Sequence, residues 1–181
     1  MKQALLLVDI QNNYFEGGKS KLHNPLLALS NIEKTLKLFR KKGFPIIHVQ
    51  HINNQEGAAF FLSNTDGVRI HQYLAPLENE YLVIKHTPNS FFGTNLADIL
   101  KENEIQDIVV CGMMSYMCID TTVRACKHYG IRVTLLDDAC ATKDLSYNGK
   151  TISAEVVHNT FMASLNGMFA YVIKTNELSV R

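Results

Sequence analysis

No two of the four cysteines stand as a Cys-x-x-Cys pair. Cys111, Cys118, Cys126 and Cys140 are separated by seven, eight and fourteen residues. That spacing argues against a zinc ribbon or a thioredoxin-type dithiol, and reduced thiols in a cytoplasmic compartment are the expectation. No apolar run approaches the ~20 residues a membrane span needs. The N-terminal run, Ala4 to Val8, is stopped by Asp9 and is too short for a signal segment. Charge is balanced: 18 Lys and Arg stand against 17 Asp and Glu. There is no basic stripe for nucleic acid and no acidic tail. The densest basic run, Arg40-Lys41-Lys42, precedes Gly43 and reads as cations at the negative end of a helix. No Gly-x-Gly-x-x-Gly follows the first apolar run, and there is no Walker A sequence. A Gly-x-Ser-x-Gly elbow is also missing. Repeats and low-complexity tracts are absent.

What is present is a globular composition: 181 residues, 46% hydrophobic and 19% charged. One domain over residues 1–181 is expected, burying roughly 70% of the surface its unfolded chain exposes. Strand-like and helix-like segments alternate. Ala4 to Ile10 suits a strand buried on both faces. Asn24-Pro25 opens a helix, with Asn as cap and Pro at the first helical position. Leu26, Leu29, Ile32, Leu36 and Phe39 then follow at helical spacing, up to Gly43. Further strands are read at 45–52, 81–85, 107–111, 131–136 and 169–173, with helices from Thr94 to Glu102, from about Met117 to Tyr129, and from Ile152 to Leu165. Residues 53–79 have no period and read as a long functional loop with a short helix. Such alternation predicts an α/β fold, a mostly parallel six-stranded sheet with helices on both faces. Ligands in such folds bind beyond the carboxyl ends of the strands.

The residues just past the strands are Asp9, His51, Lys85 with His86, Cys118, and Asp137-Asp138. Cys118 is expected in the first turn of a helix, where unpaired N–H groups and the dipole would lower its pKa. The plainer reading is a small core residue. Asp9 at the rim of a buried strand requires a partner and could act as a base toward Cys118. Lys85 near both would stabilise either anion. Cys111 and Cys126 read as core; Cys140 is placed in a loop after the fifth strand, where ligand contact stays open. His48, His51 and His71 could suggest a metal, but their spacing is loose and no Asp accompanies them. No metal and no cofactor are expected, and His51 is read as lining the pocket. Tyr14, Phe15, Phe91, Phe92 and Tyr116 read equally as pocket wall or core; Phe15, Phe91 and Tyr116 join His51 as candidate substrate contacts.

Three ordered segments carry a resemblance: LLLVDIQNNYF (Leu5 to Phe15), VIKHTPNSFFGTNL (Val83 to Leu96) and VVCGMMSYMCIDTTVRAC (Val109 to Cys126). The chain resembles the isochorismatase-like cysteine hydrolases over essentially its whole length. The resemblance implies a Rossmann-like three-layer sandwich with sheet order 3-2-1-4-5-6. It implies a triad of Asp9, Lys85 and Cys118, and a cis peptide at Met113-Met114. It also implies an oxyanion hole from the backbone N–H groups of Met114 and Cys118, and a homo-oligomer. Asn13 stands where members often have Asp. Val49-Gln50-His51-Ile52 lacks the Asp of metal-binding nicotinamidases, and Cys118 disfavours a true isochorismatase. A metal-free subgroup that includes a streptothricin lactam hydrolase and N-carbamoylsarcosine amidase is the most similar. The activity this implies is hydrolysis of a small amide, lactam or carbamoyl substrate through a thioester. The alternatives are acid-catalysed cleavage of a vinyl ether or other bond by Asp9, and a non-catalytic binding protein.

Overall fold

A computed structural model describes residues 2–180. Strand β1 (Lys2–Val8) lies between β2 (Ile46–His51) and β4 (Ile105–Met113). Beyond β2 lies β3 (Tyr81–Lys85), and beyond β4 lies β5 (Arg132–Ala141). A hairpin, β6 (Leu145–Tyr147) with β7 (Lys150–Ile152), stands apart, and β8 (Tyr171–Ile173) closes the far edge. The main sheet is therefore 3-2-1-4-5-8, parallel at every pairing. This is the expected order, with β8 as the sixth strand.

The continuous apolar run of β1 is explained by two cores. Leu5 and Leu7 pack with Ile32, Leu36 and Phe39 of α1 (Pro25–Lys42). Ala4, Leu6 and Val8 pack with Leu96 and Leu100 of α2 (Leu96–Glu102) and Val123 of α3 (Asp120–His128). Full burial of each large aliphatic side chain stabilises the fold by about 1.5–3 kcal/mol. Helix α4 (Ala154–Leu165) contributes Met162 and Leu165 to the second core.

Several expectations are corrected. Asn24 adopts a left-handed conformation and makes no side-chain cap, so Pro25 alone starts α1. Leu26 is exposed, not inward. Helix α3 begins only at Asp120, after a π-helical turn, Ser115–Ile119. Strand β5 runs on to Ala141, so Asp137, Asp138 and Cys140 lie in the strand, and Cys140 is buried opposite Gly112. Residues 145–152 form a hairpin because Asn148 and Gly149 both take positive φ, as a type I′ turn requires. The 53–79 connection contains only two short 3-10 turns, Asp66–Val68 and Gln72–Leu74. Among the described residues, no helix is long and apolar enough to cross a membrane.

Candidate active site

The sheet order reverses at β1, whose neighbours β2 and β4 carry the chain in opposite directions; a crevice at the carboxyl ends results. Asp9 follows β1 directly with φ +52, and its N–H donates to the Val49 carbonyl at 3.0 Å. Lys85 ends β3, two strands away, beside His51 on β2. Its four-carbon stem spans that gap. Cys118 sits in the π-helical turn after β4.

These side chains meet at one point, the Lys85 ammonium. Lys85 Nζ lies 2.7 Å from Asp9 Oδ2 and 3.2 Å from Cys118 Sγ. It also lies 3.1 Å from His51 Nδ1 and 3.0 Å from the Thr87 carbonyl. Asp9 and Lys85 are fully buried and Cys118 is 3% exposed. Among the described residues, Asp9 Oδ1 has no hydrogen-bond partner, while Oδ2 is paired with the ammonium. A carboxylate oxygen so placed is free to receive a proton.

The ligand atoms of Asp9, His51 and Cys118 lie within 4.8 Å of one another, a separation that a metal ion could bridge. Their common contact is already a cation, however, because Lys85 Nζ touches all three. A divalent ion there would meet ammonium repulsion, so this donor set does not fit one. His48 and His71 do not join them. His48 Nε2 is bonded to Glu80 at 2.8 Å, and His71 packs between the rings of Phe15 and Tyr73.

The sequence profile of the isochorismatase domain matches residues 3–177. An uncharacterised isochorismatase family protein of Bacillus subtilis, YddQ, is 50% identical over 98% of both chains. The crystal structure of an isochorismatase from Pseudomonas putida superposes with a TM-score of 0.92 at 38% identity, covering 98% of this chain and 90% of the other. A streptothricin hydrolase of Streptomyces noursei is 31% identical over 79% of this chain and 51% of its own length. The chain belongs to the isochorismatase family.

Within this isochorismatase-family site, the Cys118 thiol differs from expectation. It does not lie in the first turn of an α-helix, and its pKa is not lowered. Burial pushes it well above the ordinary thiol value, the Asp9 charge adds to this, and Lys85 only partly opposes. Cys126 and Cys140 are likewise pushed up by burial, to about 12. Acidity therefore does not distinguish Cys118. Its distinction is the cation and carboxylate beside it. Burial works to lower the Lys85 pKa, but the charges of Asp9 and Cys118 outweigh it, so Lys85 stays an ammonium.

Of the candidate substrate contacts, Phe15 walls a cleft of about 470 Å³ together with Phe60, Phe61 and His71. That cleft is not lined by Asp9, Lys85 or Cys118. Phe61 stands between, facing the cleft and packing on the rings of Tyr14 and His51 at centroid distances of 4.9 and 5.6 Å. Its φ of +60 is a strained conformation for a bulky residue. Phe91 belongs to the core, stacked on Tyr129 at 4.3 Å, and Phe92 is exposed. Tyr116 is half-buried and close enough to Cys118 for charge on sulfur to raise its pKa, burial being the larger cause. The Met113–Met114 peptide is cis.

Gln11 escaped the sequence reading. Its buried amide donates to the carbonyls of His51 (2.9 Å) and Val68 (2.6 Å) and accepts the His51 N–H (2.9 Å). It thereby fixes the end of β2 against the 53–79 segment. Asn13 accepts the Phe61 N–H through Oδ1 at 3.1 Å, a bond that an aspartate could also accept. Ser90 and Thr122 are fully buried and bonded at 2.8 Å, fastening the loop after β3 to α3. A threonine on an amphipathic helix gives no hint of its buried partner; only the fold supplies it.

His51 makes acid stability testable. Burial and then the Lys85 charge lower its pKa from 6.5 to about 4, against the opposing pull of Asp9. The unfolded chain therefore takes up a proton first. This contribution is fully present above about pH 6.5 and is lost as pH falls toward 4, a loss of about 3 kcal/mol. Urea midpoints between pH 7.5 and 4 should show a smaller loss in His51→Gln than in the wild-type chain. His48, His71 and His158 are also lowered by burial, so some slope remains. Parallel pH profiles for the two proteins would refute the assignment.

Proposed function

We propose that this isochorismatase-family hydrolase cleaves a small amide, lactam or carbamoyl C–N bond through a Cys118 thioester. The observation that carries this reading is the convergence of Asp9, Cys118 and His51 on one buried ammonium. The thiol starts protonated, so a base is needed, and Asp9 is the carboxylate within reach. Asp9 takes the Cys118 proton, and Lys85 then faces a thiolate and a neutral acid with its charge unchanged. The thiolate attacks the carbonyl carbon. The backbone N–H groups of Met114 and Cys118 hold the tetrahedral oxyanion, a contribution of about 3–4 kcal/mol per donor. Asp9 returns its proton to the leaving amine. Asp9 then activates the water that hydrolyses the thioester.

The test is a panel of small amides, lactams and carbamoyl compounds assayed with Cys118→Ala and Asp9→Asn, each checked for folding by circular dichroism. Loss of turnover in both variants fits the thioester route. Turnover surviving in Cys118→Ala but lost in Asp9→Asn would replace it with acid catalysis by Asp9. Turnover surviving in both would remove the site from the chemistry.

A further inference from the structure

We infer that His51 is held by Lys85 as the neutral Nε2–H tautomer and presents that N–H to the substrate, so the substrate carries a hydrogen-bond acceptor close to its scissile carbonyl. The inference rests on the thioester reading and specifies the substrate class it requires.

The tautomer follows from hydrogen-bond chemistry. An ammonium has three donors and no acceptor. Four groups surround those three donors, the Asp9 carboxylate, the Thr87 carbonyl, His51 Nδ1 and Cys118 Sγ; at 3.1 Å from a cation, His51 Nδ1 faces it with its lone pair. Protonated Nδ1 would instead turn an N–H toward the ammonium, and Asp9 Oδ2 is 3.9 Å away, beyond hydrogen-bond reach. The lowered His51 pKa agrees with a neutral ring near pH 7. A neutral imidazole with a bare Nδ1 carries its single proton on Nε2.

The position of that proton is informative. Among the described residues, no group bonds to Nε2, although the backbone N–H and C=O of His51 are both held by Gln11. The His51 side chain is 14% exposed, while those of Asp9 and Lys85 are fully buried. His51 is thus the outermost member of the cluster, an oriented donor with one face against Phe61. A neutral imidazole N–H is too weak an acid to protonate a leaving amine. Its use is to bind a lone pair: a carbonyl, carboxylate or heteroaromatic nitrogen. A substrate presenting an N–H or ammonium at that point would be rejected, since two donors would face each other.

Two isosteres separate the two ends of the ring. Asparagine places its Oδ1 near the position of Nδ1, keeping the Lys85 contact while removing the outer donor. Glutamine reaches to the position of Nε2, keeping the outer donor while losing the inner acceptor. The probe is iodoacetamide, whose carbonyl is an acceptor beside the reacting carbon. Rates of Cys118 modification, normalised to those of a free thiol, are measured by mass spectrometry for wild type, His51→Asn and His51→Gln. His51→Asn should slow Cys118 by about 10-fold, the loss of one well-placed hydrogen bond, and His51→Gln should recover most of that loss. Nitrogen-15 spectra of the His51 ring should show the Nε2-protonated pattern in wild type. A fast His51→Asn with a slow His51→Gln would overturn the inference and leave His51 as a positioning residue for Lys85. An Nδ1-protonated ring would overturn it directly. If Cys118 is unmodified in all three proteins, the nucleophile reading itself falls, and this inference with it.

Discussion

Replacing Lys85 with methionine is expected to lower folding stability by about 3–5 kcal/mol, the usual effect of removing one partner from a buried ion pair. Lys85 and Asp9 are both fully buried and 2.7 Å apart. Methionine nearly preserves the volume of the stem, so the loss is electrostatic, not a cavity. It removes the ammonium from the Asp9 carboxylate, whose Oδ1 already lacks a hydrogen-bond partner among the described residues. Cys118 and His51 each lose a donor as well. The double variant Asp9→Asn/Lys85→Met should recover most of the stability, because removing both charges removes the desolvation problem. Neither protein should turn over substrate. Urea denaturation of the two single variants and the double variant forms a cycle. A Lys85→Met loss below about 1 kcal/mol, the value typical of a solvated pair, would show that water reaches the ammonium.

Gly112→Ala should be at least as damaging, at about 4 kcal/mol or more, in the range reserved for core and backbone disruption. Gly112 holds φ +136, a conformation closed to side-chain-bearing residues. A Cβ there would stand 2.0 Å from the Val8 carbonyl oxygen and within 3 Å of two more Val8 backbone atoms. Backbone in the centre of a sheet cannot yield, so β1 and β4 would separate beside Asp9. Gly43→Ala is the control. It also has a positive φ, +67, but nothing lies within 4 Å, so only the left-handed penalty of about 1–2 kcal/mol applies. Chemical denaturation of both variants distinguishes crowding from conformation. Equal losses would contradict the close packing of β1 on β4.

The fold was legible where local chemistry and tertiary packing agree. A strand such as Leu5–Val8 is apolar on both faces because it is covered on both, and the Phe39 stripe of α1 ends at a glycine that accepts a left-handed turn. Agreement failed at the β5 to α4 connection. The Asn148-Gly149 turn closes a hairpin absent from the expected elements, and β5 continues past two aspartates because Asp137 and Asp138 find Lys174 and Thr175 as partners. Cys118 was legible as a residue of interest but not in its state. The sequence suggested a thiol activated by a helix end, whereas the fold buries it beside a carboxylate and raises its pKa.

The sequence by itself determined the class of fold and the chemical types available at the strand ends. Periodicity and the polar residues that interrupt it are local properties, and they mark Asp9, Lys85 and the turn before Cys118 as strand-end positions. Only the tertiary structure decided which of those groups meet. The 3-2-1 strand order puts β2 between Asp9 and Lys85, so the long Lys85 stem, passing His51 on the way, is what joins them. Hydrogen-bond direction, tautomer and pKa depend on atoms tens of residues apart in the chain. Those contacts exist only once burial excludes water and leaves one ammonium to satisfy a carboxylate, a thiol and an imidazole.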